Sequence, residues 1–268
     1  MNNLALSDKE FEQYRSMILE VAGISMSDAK KPLVSGRLAK RIRQHDLFSY
    51  GDYFRLLMRD RAELQMAVDL LTTNETYFFR EPKHFGFLRE RILPELVNRT
   101  TLRVWSGACS TGEEAYSIAM TVAEAVGNRP WELLASDLST RVLDKARTGL
   151  YRMADAEDIP RSLLVKYCLK GVGEHSGTML IDPTLRNRMR FQHINLNAAL
   201  PELGEFEVIF LRNVMIYFDL ETKRQVVRRM LPLLKPGGYF IVSHSESLNG
   251  VCDELQLVVP SIYRKPHA

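Results

Sequence analysis

Three strings in this chain hold residues of the kind that bind or transform a small molecule. The first, Ser106-Gly107-Ala108-Cys109-Ser110-Thr111-Gly112-Glu113-Glu114, follows an apolar run and precedes a helical one. A glycine loop in that place is where doubly wound sheets bind nucleotides. It is no P-loop, because no Gly-Lys-Ser/Thr follows, and it lacks the GxGxxG that cradles a pyrophosphate. It ends instead in two acids. Acids at a helix start repel phosphate and suit an amino group, so the loop favours a ligand with an adenosine and an amino acid but no phosphate. A plain strand-to-helix turn with an acidic first turn is the bland alternative. Asp137 ends the next apolar run, where a carboxylate accepts hydrogen bonds from both ribose hydroxyls or caps the helix behind it.

The second string, Leu211 to Asp219, places Arg212 and Asn213 at the carboxyl edge of a further strand. Apolar flanks argue that the pair is buried and needs partners; a surface loop is the alternative. The third, Thr73-Asn74-Glu75-Thr76-Tyr77-Phe78-Phe79-Arg80-Glu81, interleaves polar and aromatic residues where the sequence pattern changes. That mixture suits a cleft wall or an amphipathic linker helix. Lys235-Pro236-Gly237-Gly238 predicts a tight turn and says little about substrate.

The elements that must position these strings divide the chain in two. Up to Thr73 only helices are predicted: Ser7 with Glu10 forms a capping box, Phe11, Tyr14, Ile18 and Val21 follow at helical spacing, and Gly23 ends the run. Further helices are expected over Ala29 to Gln44, with Val34, Leu38 and Ile42 on one face, and over Tyr50 to Met58 and Ala62 to Leu71. From Leu102 apolar runs alternate with helical stretches. Strands at Leu102–Trp105, Leu133–Ser136, Val208–Leu211 and Tyr239–His244 alternate with helices at Glu113–Val126, Thr140–Gly149 and Leu220–Leu234, which predicts an α/β parallel sheet covered on both faces. Between Tyr151 and Leu196 the alternation breaks, and Gly171, Gly173 and Gly177 mark a hairpin-like insertion. With 268 residues, 46% of them hydrophobic, the chain is long enough for one large or two modest domains with a real core. A net charge of +3 gives no global pull toward nucleic acid or membrane. Cys109, Cys168 and Cys252 are far apart, so neither a metal site nor a disulfide framework is expected, and no run approaches the ~20 apolar residues of a membrane span.

These strings, in this order and behind a small helical domain, resemble the chemotaxis receptor methyltransferase (CheR) family over nearly the full length. The matching segments are Thr73 to Arg80, Ser110 to Ile118, Ala135-Ser136-Asp137, Asn195-Leu196 and Arg212 to Phe218; Ala115 departs from the proline of many relatives, which would only stiffen a helix start. The resemblance implies an N-terminal all-α receptor-docking bundle over 1–73. A Rossmann-like class I S-adenosylmethionine-dependent methyltransferase domain follows over 74–268, with a small antiparallel β-subdomain inserted within 151–196. It also implies cofactor contacts from Asn74, Thr76, Arg80, Glu113, Glu114, Asp137, Asn195, Leu196, Arg212 and Asn213. Of the two adjacent acids Glu114 is favoured for the methionine amino group. Arg80 and Tyr217 are implied beside the transferred methyl.

The implied reaction is an in-line attack by a glutamate carboxylate on the methyl of S-adenosylmethionine, releasing S-adenosylhomocysteine. A carboxylate of pKa ~4.3 is already ionised at neutral pH and needs no general base, so the lack of an obvious catalytic His or Cys fits. Between Lys30 and Arg43 six basic residues occur without an acid, and Arg37, Lys40 and Arg41 share a helix face. A solvated face is the bland reading and RNA binding a rival one; the resemblance implies docking on the methylation helices of methyl-accepting chemoreceptors, without nucleic acid or membrane insertion. The insertion around Gly171, Gly173 and Gly177 resembles subdomains that capture a receptor's C-terminal tail peptide by strand addition, an ordinary hairpin being the alternative. A cytoplasmic monomer is expected.

Overall fold

The computed structural model describes residues 4–96 and 101–267. Two compact units result: Met1–Thr73 together with Tyr217–Lys223, and Asn74–Ile216 together with Arg224–Ala268. The first unit holds α1 (Asp8–Ala22), α2 (Lys31–Gln44), α3 (Tyr50–Leu57) and α4 (Arg61–Leu71). The Ser7–Glu10 capping box forms as expected: Glu10 N–H donates to Ser7 Oγ at 3.3 Å and Ser7 N–H to Glu10 Oε2 at 3.0 Å. Gly23, at φ 72°, takes the left-handed conformation that ends α1. Val34, Leu38 and Ile42 of α2 are fully buried, as are Tyr14 and Ile18 of α1, which is why these periodic positions rather than propensity hold the bundle. The backbone N–H of Ser25 donates to Tyr217 O at 2.8 Å, which ties the returning segment Tyr217–Lys223 to this unit, a connection the sequence pattern did not announce.

The second unit begins with α5 (Pro82–Phe87), which continues through Leu88–Ile92 into α6 (Leu93–Glu95). The alternating part follows: β1 (Leu102–Ser106), α7 (Glu113–Val126), β2 (Trp131–Asp137) and α8 (Thr140–Thr148). The insertion comprises β3 (Leu150–Arg152), α9 (Arg161–Tyr167), β4 (Cys168–Lys170), β5 (Thr178–Ile181) and α10 (Pro183–Arg186). Then come β6 (Met189–His193), β7 (Phe206–Phe210), α11 (Leu220–Met230, which belongs to this unit from Arg224 on), β8 (Leu234–Ile241), β9 (Gln256–Val259) and β10 (Ile262–Arg264). The large sheet runs β6-β2-β1-β7-β8-β10-β9. Its first five strands are parallel, and β10 is antiparallel to both neighbours. Every residue of β7 is buried, the mark of a strand covered on both faces.

The segment where alternation broke thus divides. β3, β5 and β4 form a separate three-stranded antiparallel sheet, whereas Met189–His193 returns to the large sheet beside β2. A helix expected to reach Leu234 stops at Met230, because Pro232 lacks the N–H that an α-helix needs there. The Lys235–Gly238 turn is taken up as an irregularity within β8, with Gly237 at φ 74°.

Candidate active site

Chain order along the sheet reverses between β1 and β7, and the crevice at such a switch point lies beyond the strands' carboxyl ends. The sequence-predicted residues fall there. Glu113 and Glu114 open α7 behind the loop that leaves β1, and Asp137 closes β2. Asn195 and Leu196 follow β6, and Arg212 and Asn213 follow β7. Asn74, Thr76 and Arg80 join them through the preceding segment: Ser110 Oγ donates to Asn74 O at 3.0 Å, and Arg212 donates to Arg80 O. Residues 73–81 are not helical, so the linker-helix alternative falls away; Phe78 and Phe79 are buried while Asn74, Thr76 and Arg80 are half-buried.

Buried Arg212 organises the charges. Its guanidinium lies 3.2 Å from Glu114 Oε2 and 3.2 Å from Glu81 Oε2. Glu114 also accepts from Ser106 Oγ at 2.7 Å, at the end of β1. Glu113 turns elsewhere, accepting from Thr111 Oγ1 at 2.6 Å with Lys145 at 3.9 Å. Burial pushes both glutamates above the usual carboxylate range, despite Arg212 beside Glu114 and Thr111 beside Glu113. Burial would raise Glu81 too, but the charge of Arg212 and the His244 N–H outweigh it and hold that carboxyl low. Asp137 receives Ser110 N–H at 2.8 Å and Ser139 N–H at 2.9 Å, so it shapes the loop after β1. Asn195 Oδ1 accepts from Asn197 N–H at 2.9 Å, and Arg229 donates to Leu196 O at 3.1 Å.

Backbone strain gathers at this crevice. Phe79, Glu81, Ser110 and Asn213 take φ values of 54°, 59°, 49° and 56°, a region L-residues seldom adopt and one that persists where surroundings over-determine it. Two acids that the sequence reading passed over do much of the holding. Glu81 supports Arg212, and Glu246, in Ser243-His244-Ser245-Glu246 after β8, receives the N–H groups of Asn213 (3.0 Å), Ile216 (3.2 Å) and Ser243 (2.9 Å). The signal available was position alone, an acid just past the carboxyl end of a parallel strand.

Other expectations land differently. Tyr217 ends the 3-10 turn Met215–Tyr217 and is the first residue of the segment that belongs to the helical unit. In that unit Arg37 donates from Nη1 to the carbonyls of Leu70 (3.1 Å), Leu71 (3.1 Å) and Thr72 (2.8 Å), at the carbonyl end of α4. Arg41 grips Glu63 with two nitrogens. Both are therefore internal struts, and of the three predicted docking residues Lys40 alone is exposed, with Arg43 exposed nearby. The three glycines serve their own turn: a Cβ on Gly171 would stand 2.0 Å from His175 O, and Gly173 and Gly177 have φ of 58° and 83°. That gives each a local reason with no peptide in it.

The helical segment matches the all-alpha domain of CheR methyltransferases over residues 9–72, and the sheet unit matches their SAM-binding domain over residues 74–263. The chain belongs to the CheR methyltransferase family. It is 40% identical over 265 residues to the chemotaxis protein methyltransferase of Salmonella typhimurium, covering 97% of this chain and 91% of that one. It is 41% identical over 251 residues to that of Escherichia coli, covering 92% and 87%. With chemotaxis protein methyltransferase 2 of Pseudomonas aeruginosa the identity is 40% over 258 residues, covering 95% and 92%. The chain is thus a chemotaxis methyltransferase, and its cofactor is S-adenosylmethionine. The crevice fits that molecule: among the described residues the Nε of buried Arg212, just past β7, has no hydrogen-bond partner, a donor that a ligand carboxylate can meet. Among the described residues no helix is long and apolar enough to cross a membrane.

Proposed function

We propose that this CheR family member esterifies glutamate γ-carboxylates of chemoreceptors. The observation that carries the reading is Arg80. Its guanidinium lies 5.6 Å over the Tyr77 ring and donates to Glu75 O at 2.9 Å, and among the described residues it has no carboxylate partner. A half-buried arginine at the wall of the crevice, unpaired with acid, is equipped to receive an incoming carboxylate through its fork of donors.

When bound, S-adenosylmethionine supplies an electrophilic methyl carbon on a sulfonium. The chain's own residues then place and desolvate two opposite charges. Asp137 and Asn195 are assigned to the ribose and the adenine edge, with Asn74, Thr76 and Leu196 alongside and Arg212 and Asn213 at the β7 end. Glu114 takes the amino group in preference to Glu113, because its carboxylate joins Ser106, which ends β1, and Arg212, just past β7, at the two strands that bound the switch point. No residue needs to remove a proton, which agrees with His84, whose imidazole burial and Arg212 push down to about 3.

The helical unit, residues 1–73, is assigned to receptor docking through exposed Lys40 and Arg43. The small sheet offers β3 and β4 as edges, with Leu150, Leu169 and Val172 exposed, for a receptor tail peptide to extend. Base treatment of a methylated receptor fragment tests the ester: release of all label as methanol supports it, and label retained on nitrogen or a ring refutes it.

A further inference from the structure

His84, Glu81 and His244 form a cluster that the proposed methyl transfer does not use for chemistry. His84 on α5 is buried, and among the described residues neither of its ring nitrogens has a hydrogen-bond partner. A buried imidazole left with both nitrogens unmet is costly and calls for a reason. Its Nδ1 lies 3.4 Å from Glu81 Oε2, and its ring centre is 4.5 Å from that of His244, with the planes tilted by 46°. One ligand atom from each of the three residues falls within 4.8 Å of the others. Ring contact alone fills space but supplies no partner for either nitrogen.

We infer that Glu81, His84 and His244 form a binding site for a divalent transition cation of the zinc class. Two imidazoles and one carboxylate are the donor set of an open zinc site, which keeps one position for water. The nitrogen majority disfavours magnesium and calcium, which take oxygen ligands. Metal–ligand bonds of ~2.0–2.2 Å set tetrahedral ligand atoms ~3.3–3.5 Å apart, so the triad must contract. Exposed His244 is the member able to swing inward, and its exposure gives the ion an entry path. Ser261 Oγ lies 3.4 Å from His244 Nδ1, a partner that would leave Nε2 to the metal.

Arg212 is the charge that opposes a cation here, 3.2 Å from Glu81. It does not stand alone: Glu114, at 3.2 Å, gives it a second carboxylate when Glu81 turns to metal. Glu246, which receives the N–H of Asn213 beside it at 3.0 Å, adds a further negative charge. The ion would tie the start of α5 to the segment after β8. Cysteine spacing predicts no metal, and the two histidines are 160 positions apart, so only the fold unites the cluster.

The test uses the full chain without a histidine tag, stripped with chelator. It is titrated with zinc chloride by calorimetry and with cobalt chloride by visible absorption. One equivalent of each ion is expected, with the visible bands of a four- or five-coordinate cobalt site. His84→Ala and His244→Ala should each weaken zinc binding at least about a hundredfold, since even outer-shell changes reach that size. Because His84 is buried, His244→Ala is the variant expected to keep its melting curve without metal. Less than one equivalent bound by the parent, or equal affinity in a folded His244→Ala, overturns the site.

Discussion

Glu63 in the helical unit and Glu114 in the sheet unit are both buried carboxylates facing arginine, yet their surroundings differ. Glu63 receives Arg41 through two nitrogens, Tyr53 Oη at 2.6 Å, and His45 at 3.1 Å. Burial would raise its pKa, but those hydrogen bonds outweigh burial and hold it at about 2. Glu114 has Ser106 and Arg212, and burial prevails, raising it. Among the described residues the buried side-chain atoms without partners are Arg212 Nε, beside Glu114, with Ser139 Oγ, Gln192 Oε1 and both nitrogens of His84, and all lie in the sheet unit. Charge in the bundle is saturated and holds a shape. Charge in the crevice is under-saturated and held by a strained backbone, the condition of a surface built for ligands.

The largest effect expected of breaking that contrast is on turnover. Arg80→Ala should lower methyl transfer about a hundredfold or more while S-adenosylhomocysteine affinity changes far less, since misplacing a reacting group costs on that order. Equal losses in rate and affinity, by single-turnover kinetics and calorimetry, would confine Arg80 to cofactor binding or structure. In the bundle Arg41→Ala should remove about 2–3 kcal/mol of stability by stranding Glu63, less than a fully buried pair because Arg41 is partly exposed. Denaturant unfolding measures it. Asp137→Ala should weaken S-adenosylhomocysteine binding by about 1.5–3 kcal/mol through loss of a charged acceptor; unchanged affinity in calorimetry would remove Asp137 from the ribose.

The two carboxylates also predict opposite responses to acid. Glu63 has a folded pKa depressed from ~4.3 to about 2, so its contribution is full above pH ~4.3 and is lost as pH falls toward 2. Glu113 and Glu114 have raised values, so lowering pH past them relieves the folded state. Both tryptophans, Trp105 and Trp131, lie in the sheet unit. The part of the helical circular dichroism owed to α1–α4 should therefore be lost first, as a partial decline at a higher pH than tryptophan fluorescence changes; a single coincident transition would contradict the contrast. The smallest effect concerns docking. Lys40→Glu with Arg43→Glu should slow receptor methylation a few-fold, less at high salt, because exposed charges are screened over ~8–10 Å. A parent rate in this variant, whose positions among the described residues carry no internal side-chain bond of the kind made by Arg37 and Arg41, would return the helix face to solvent.

Periodicity exposed what is repetitive. Val34, Leu38 and Ile42 on α2 and the apolar runs of β1, β2 and β7 were readable because burial at fixed spacing leaves a pattern. The strings at Asn74–Arg80, Ser110–Glu114 and Arg212–Asn213 were readable because loops at strand ends carry unusual polar residues. The support behind them was not. Glu81, Glu246 and His84 act through partners distant in sequence, such as Glu246 with Asn213, and no local pattern encodes that. Basic residues show the same limit, since spacing alone places Arg37 and Arg41 on a helix face and says nothing of their carbonyl and carboxylate partners.

The central claim, that the crevice delivers a methyl group to a carboxylate, is tested most directly by the fate of the label. A chemoreceptor cytoplasmic fragment is incubated with the chain and methyl-labelled S-adenosylmethionine, then treated with alkali. Complete recovery of label as methanol, together with its loss when the receptor's acceptor glutamates are changed to alanine, is the predicted result. Label that survives alkali, or transfer that persists without those glutamates, would contradict the account.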